Sequence, residues 1–202
     1  LISFFVISLI LSVLIIRNLD INFLYNTILI TAAFYLFFIT LRDFFQRKYR
    51  NLSQITAHFS FSILILSILF NNIFSSEVIT NLKINETYQA QNLKINFESI
   101  EQENKQNFKA IKGKFIVEDQ SGLIEVMQPE LRIYNQPNIV TSEADIKTNI
   151  FTDKFMTMNY VQNQDYFNIR YQVKPFMIWI WISTILLCLS GCLSLIRKKY
   201  EN

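Results

Sequence analysis

The chain has 202 residues, of which 51% are hydrophobic and only 17% charged, against about 25% charged residues in an average soluble domain. Nearly every stretch carries Ile, Phe, Leu or Tyr, which excludes a disordered chain, and two cysteines are too few for a disulfide-rich secreted scaffold. The net charge of +3 is small, so we expect no nucleic-acid partner. Several uncharged runs are long enough to cross a bilayer, which argues against a plain soluble enzyme.

Four apolar segments are predicted to be α-helical transmembrane spans. They cover residues 1–16, 21–41, 52–74 and 176–196. The last three have 21 to 23 residues, enough to cross about 30 Å of hydrocarbon. The first is shorter and begins with leucine rather than methionine, so we expect a truncated part of a longer span. A cleaved signal peptide is the alternative, but no basic region precedes the run and no small-residue cleavage site follows it.

The distribution of lysine and arginine orients these spans. Residues 42–51 hold four basic residues and one acid, and residues 197–202 hold three basic residues. Such clusters collect on the cytoplasmic side of a membrane. Residues 75–174 carry 11 basic and 13 acidic residues and show no such bias. We therefore predict a cytoplasmic basic loop at 42–51, a cytoplasmic tail at 197–202 and a periplasmic domain at 75–174.

Aromatic residues gather near the predicted outer end of the last span. Trp179 and Trp181 lie in that span, and the tyrosines of 160–171 precede it. Amphipathic rings favour the headgroup level, so this pattern predicts an interfacial aromatic belt. Further along the span, Cys188 and Cys192 are predicted to be small packing residues, because a redox pair is usually CxxC and reachable by solvent.

Residues 75–174 are predicted to form an all-β domain. In 92–100, Leu93, Ile95 and Phe97 alternate with polar residues, as on a strand with one buried face. The other predicted strands are 115–117, 123–127, 131–134 and 167–173. The sequence DQSG at 119–122 predicts a hairpin turn, and the close spacing of short strands favours a small antiparallel sandwich or barrel. The segment has no Cys and no His, so we predict neither a disulfide nor an imidazole or thiolate metal site there.

The single histidine, His58, lies inside the third apolar segment, about 10 Å from its cytoplasmic edge at about 1.5 Å per residue. Gln54 and Ser62 lie one turn to either side, so the three form a polar stripe that should face protein or a cavity rather than lipid. Two interpretations stay open. One is a haem axial ligand or proton relay; the other is a histidine hydrogen-bonded to a neighbouring helix, without a cofactor.

Four motifs, in this order, resemble those of one known family. Residues 56–58 read TAH, 129–134 read PELRIY, 141–146 read TSEADI, and 174–181 read KPFMIWIW. They are similar to the LAHxG, PExRxY, TEAxI and KPxxxWIW motifs of the CcmF family, the large membrane subunit of system I cytochrome c maturation. The chain departs from the first motif at Ser60, where the family has glycine.

The resemblance implies the C-terminal part of a membrane-bound cytochrome c haem lyase, which attaches haem to the CxxCH thiols of apocytochrome c. It implies a multi-pass protein of the bacterial inner membrane. His58 matches one of two transmembrane histidines that hold a b-type haem in the family. Its implied role is therefore an axial ligand of the haem iron, with the second ligand from outside this chain. The implied partners are membrane lipid, the haem chaperone CcmE, apocytochrome c, other maturation subunits and the N-terminal part of CcmF.

Other parts of the family pattern have no counterpart in this sequence. The tryptophan-rich WWD segment and the remaining family histidines are absent, so we expect a fragment or a split-gene product with no catalytic residue of its own. The alternative function is a haem-free, membrane-anchored periplasmic assembly or binding module. A transporter or respiratory-subunit fragment would require further ionisable residues inside the spans, and only His58 is found there.

Overall fold

The computed structural model describes residues 1–17, 19, 22–46, 52–90, 93–119, 122–161 and 165–201, the last five as backbone only. The chain divides into two units. The helical unit comprises Leu1–Phe74 and Pro175–Asn202, and the β unit comprises Ser75–Lys174. Within the predicted turn 119–122, Gln120 and Ser121 lie outside the described residues, as do residues 47–51 of the predicted basic loop.

In the part of the chain that is described, the helical unit has four helices. They are α1 (Ile2–Ile16), α2 (Phe23–Gln46), α3 (Leu52–Phe74) and α4 (Met177–Glu201). By length and composition α2, α3 and the Met177–Ile196 part of α4 can each cross a membrane, whereas α1 is a shorter apolar helix. A helix satisfies its own backbone hydrogen bonds, which hydrocarbon cannot do for it. α2 continues past residue 41, so Arg42 and Asp43 are helical rather than the start of a loop.

The helices pack in sequence order through small polar side chains. α1 packs on α2, α2 on α3 and α3 on α4. The Ser12 and Thr31 hydroxyls meet at 2.5 Å between α1 and α2, and the Ser53 hydroxyl donates to the Ser190 carbonyl at 2.8 Å between α3 and α4. Small residues let helices approach closely where lipid gives no hydrophobic drive to association.

The β unit is a sandwich of two antiparallel sheets, which confirms the predicted all-β domain. Its strands are β1 (Ser76–Leu82), β2 (Thr87–Ala90), β3 (Leu93–Asn104), β4 (Phe108–Asp119), β5 (Ile124–Met127), β6 (Glu130–Tyr134), β7 (Val140–Glu143), β8 (Asp145–Thr148), β9 (Thr152–Tyr160) and β10 (Phe167–Pro175). One sheet has the order β1-β10-β9-β8. The other has the order β2-β3-β4-β6-β7, with β5 also paired to β4.

The core of the β unit lies between these two sheets. Phe97 and Phe115, both fully buried, stack with ring centroids 4.2 Å apart. The alternation predicted for 92–100 is confirmed, since Ile95 and Phe97 are buried and Lys94 is exposed. Tyr171 corrects one prediction: it is only 3% exposed and belongs to this core, so it is no part of an interfacial belt. The period-two geometry of β10 turns it inward on the same side as Ile169.

Candidate functional site

His58 lies on the surface of α3 and opens into a cavity between α2 and α3. The cavity has a volume of about 210 Å³. It is lined by Leu36, Ile39, Thr40, Asp43, Gln54, Ile55 and His58. The imidazole therefore faces a pocket that combines an apolar wall with a hydroxyl, an amide and a carboxylate.

The pairing of α2 with α3 explains how this cavity is built. The Thr40 and Ser62 hydroxyls lie 3.2 Å apart, and the Phe44 and Phe59 rings stack with centroids 6.1 Å apart. Residue numbers rise along α2 as they fall along α3, so the two helices run antiparallel. Their register therefore brings the last turns of α2 level with the first turns of α3.

The predicted polar stripe does turn toward α2. Gln54 and His58 line the cavity, although both remain exposed at its mouth. Ser62 is fully buried and donates to the Phe59 carbonyl at 2.7 Å. The polar stripe is therefore buried at Ser62, where the helices touch, and exposed at His58 and Gln54.

The His58 ring has no internal hydrogen bond to any residue that the structure describes. A neutral imidazole carries one N–H donor and one nitrogen acceptor, so both groups are available at the cavity. The hydrogen bond to a neighbouring helix, required by the interpretation without a cofactor, is not formed among these residues.

Asp43 is the residue of this cavity that the sequence interpretation missed. Its Oδ1 accepts hydrogen bonds from Nε and Nη2 of Arg42 at 3.0 and 2.7 Å. The predicted basic loop at 42–51 included Asp43 as its one acidic residue. Because α2 continues past residue 41, Asp43 lines the cavity that His58 also lines, and only that continuation could have signalled its position.

The residues of the cavity fit one side of a haem. Leu36, Ile39 and Ile55 offer apolar contact for a macrocycle, and His58 offers the nitrogen that haem iron prefers. The volume of about 210 Å³ is below the range of about 300–1,000 Å³ typical of small-molecule pockets, so a porphyrin would enter it only in part. Among the described residues, no three His, Cys, Asp or Glu side chains group as a separate metal site.

The sulfur-bearing residues of the chain do not line this cavity. Met127, Met156 and Met158 are fully buried in the core of the β unit, which occupies them in packing. Cys188 and Cys192 are free thiols on the exposed surface of α4.

The fold places this chain in the class of proteins that carry a β-sandwich, in sequence, between two apolar helices long enough to span a membrane. Residues 73–175 match the family described as the CcmF C-terminal beta-sandwich. The match covers half of the chain, and the chain therefore belongs to the CcmF family. The resemblance stated from the four motifs is confirmed.

Individual relatives agree with this assignment. The cytochrome c-type biogenesis protein ccl1 of Rhodobacter capsulatus is 29% identical over 120 residues, which are 59% of this chain and 18% of that protein. The cytochrome c-type biogenesis protein NrfE of Haemophilus influenzae is 25% identical over 178 residues, which are 87% of this chain and 28% of that protein. The chain thus spans between about a fifth and about a quarter of the length of such relatives.

One solved structure shares the fold. A structure titled Cytochrome c Heme Lyase CcmF superposes with a TM-score of 0.69 over 94% of this chain and 33% of that chain. The sequence identity is 15%, so the likeness concerns the fold alone.

Proposed function

We propose that this chain is the C-terminal part of a membrane-bound cytochrome c haem lyase and helps to attach haem to the CxxCH thiols of apocytochrome c. Membership of the CcmF family supports this function, as do relatives named for cytochrome c-type biogenesis. The chain's own contribution is to bind and orient haem, and the residues that form the thioether bonds belong to other parts of the assembly.

The observation that carries the proposal is the open imidazole of His58. The ring faces a cavity with an apolar wall and has no hydrogen bond to a described residue, which leaves a ring nitrogen available to bind iron. We propose that His58 is an axial ligand of a haem b, which when bound supplies a one-electron redox centre. Leu36, Ile39 and Ile55 would give the bound haem apolar contacts that exclude water.

The second axial ligand comes from outside this chain. The sequence has one histidine, and three of its four methionines are buried in the core of the β unit. The fourth, Met177, follows Pro175, whose carbonyl accepts a hydrogen bond from Asn71 near the end of α3 away from His58. His58 would hold the haem from this chain, and a residue on another polypeptide segment would supply the second ligand. The proposed partners are CcmE, apocytochrome c, the remaining maturation subunits and the N-terminal part of CcmF.

The proposed location is the bacterial inner membrane, with residues 75–174 in the periplasm. The support is the cluster of basic residues at 42–51 and 197–202 and the balanced charge of 75–174. Cysteine labelling tests it after Cys188 and Cys192 are replaced by serine. We expect Asn138→Cys to react with an impermeant reagent from outside and Gln46→Cys only after permeabilisation; labelling of Gln46→Cys from outside would overturn the topology.

Substitution of His58 tests the haem role. We expect His58→Ala, expressed with the other maturation proteins, to insert normally but to lose the low-spin b-type haem spectrum and cytochrome c maturation. Gln54→Ala is the matched control, since it removes another polar lining group that is no iron ligand. Unchanged haem content in His58→Ala would refute the ligand role and favour the haem-free assembly module.

A further inference from the structure

The register of α2 against α3 brings Asp43 level with His58. The Phe44 and Phe59 rings stack at 6.1 Å, and Asp43 and His58 each precede one of these phenylalanines. In an antiparallel pair of helices, the residues that precede two facing residues both point to the same side of the pair, because each lies about 100° around its own helix. Both side chains accordingly line the same cavity.

The carboxylate of Asp43 has capacity left for another hydrogen bond. Both donors of Arg42 go to Oδ1, at 3.0 and 2.7 Å, and no described residue donates to Oδ2. The Asp43 side chain is 19% exposed. An ionised carboxylate offers about four acceptor sites in all, so the ion pair with Arg42 leaves room for an imidazole N–H.

We propose that Asp43 is the positioning residue of His58. The two side chains line the same cavity and are not hydrogen-bonded in this structure. When His58 binds haem iron through one ring nitrogen, the Asp43 carboxylate accepts the N–H of the other. This inference rests on the proposed haem role of His58. A metal-bound histidine usually donates its second ring N–H to such an acceptor, which sets the tautomer and ring orientation and raises the basicity of the ligand.

The other polar groups of the cavity are poorer candidates. Thr40 already donates to the Phe37 carbonyl at 2.9 Å and meets the Ser62 hydroxyl at 3.2 Å. Gln54 has a neutral amide oxygen, and a hydrogen bond to a charged acceptor is roughly twice as strong as one between neutral groups. Asp43 is the carboxylate that lines this cavity with His58.

The experiment measures haem content and the reduction potential of the b-type haem in the assembled complex. A carboxylate beside the axial imidazole stabilises ferric haem, so Asp43→Asn is expected to raise the reduction potential and to weaken haem retention by about 10–100-fold, while the remaining haem stays low-spin. Asp43→Glu, which restores the charge, is expected to return the potential toward that of the unsubstituted protein.

Arg42→Gln is the matched control. It breaks the same ion pair and keeps the carboxylate, so it is expected to leave the potential unchanged or to lower it. An equal rise in Arg42→Gln and Asp43→Asn would assign the effect to the lost ion pair and overturn the inference. So would a rise in Gln54→Leu with none in Asp43→Asn, since Gln54 would then be the acceptor.

The two proposals fail in different ways. Loss of haem in His58→Ala with an unchanged potential in Asp43→Asn would remove the positioning role of Asp43 and leave the ligand role of His58 standing. Unchanged haem in His58→Ala would remove both.

Discussion

The helical unit and the β unit differ in how many small polar residues they bury. Between the helices, Ser8, Ser12 and Ser60 are fully buried, while leucines such as Leu24 are largely exposed. Inside the sandwich the fully buried side chains are Phe, Ile, Met, Val, Ala and Pro, and most charged groups lie outside. The same chain therefore follows two packing rules.

The difference is explained by the medium that each unit is suited to. Exposed apolar side chains cost nothing in hydrocarbon, so helices there gain most from close contact through small residues. Several buried hydroxyls of the helical unit bond to carbonyls of their own helix, as Ser8 does to Phe4 at 2.7 Å and Ser60 to Thr56 at 2.6 Å. The β unit has the large apolar core that water enforces.

The largest expected effect is a cavity in the sandwich core. Phe97 is fully buried between Phe115 and Phe167, so Phe97→Ala is expected to destabilise the β unit by about 3–5 kcal/mol. The loss of stability is measured by thermal unfolding of the detergent-solubilised chain, with proteolysis of the β unit as the readout of unfolding. Ile79→Ala, at a position 61% exposed, is the control and should change little. Equal effects would mean that the sandwich core does not control stability.

A methyl group added to a glycine should act differently in the two units. A Cβ on Gly113 of β4 would lie 2.6 Å from a Phe115 ring carbon and 2.8 Å from the Met158 sulfur. We expect Gly113→Ala to cost about 1–3 kcal/mol through overpacking.

Gly191→Ala in α4 is the matched substitution. A Cβ there meets nothing within 4 Å among the described residues, so alanine should be neutral or stabilising by up to about 1 kcal/mol through helix propensity. The same unfolding assay compares the two, and a destabilising Gly191→Ala would reveal a close neighbour on that face of α4.

The contact between α1 and α2 sharpens the comparison on a smaller scale. Ser12→Ala removes the 2.5 Å contact with Thr31 and should cost about 0.6 kcal/mol, the average for an interhelical hydrogen bond in a membrane. Ser12→Leu should cost more than Ser12→Ala, because the larger side chain forces the helices apart. A tolerated leucine would contradict the close packing of these helices.

The smallest expected effect is electrostatic and concerns the outer surface of the sandwich. The Lys112 ammonium, 3.0 Å from the Glu103 carboxylate, holds the pKa of that carboxyl below its ordinary value of 4.5. A pKa that is lower in the folded state stabilises the fold above pH 4.5, and this contribution is lost as the pH falls through the folded-state pKa.

Glu103→Gln should therefore weaken the loss of stability below pH 4.5, by a small amount because the pair is exposed. Unfolding midpoints measured between acid and neutral pH check this. Glu101→Gln removes the same charge from the same strand. Glu101 lies opposite Lys112 in the strand register but forms no ion pair with it, so this variant should keep the pH dependence that comes from Glu103. A pH profile of Glu103→Gln identical to that of the unsubstituted chain would count against the ion pair.

Prediction of the β unit succeeded where one strand face alternates clearly. The strand at 92–100 was predicted from its own residues and is the start of β3. The strands β1, β2, β7, β8 and β9 were not predicted. β7 and β8 have four residues each, of which three are polar and two or three are exposed, so no buried face marks them. They are strands because the adjacent strands β6 and β9 offer them antiparallel hydrogen-bond partners, which the residues of β7 and β8 alone do not reveal.

The amino-acid sequence alone determined the apolar helices, the family and the single candidate haem ligand, because segment length, residue alternation and motifs are local properties. Tertiary structure decided the inward face of Tyr171, the continuation of α2 through Asp43, and the cavity that joins Asp43 to His58. These depend on which side chains meet across a sheet or between two helices. Helix register is set by contacts such as that of Phe44 with Phe59, which lie far apart along the chain.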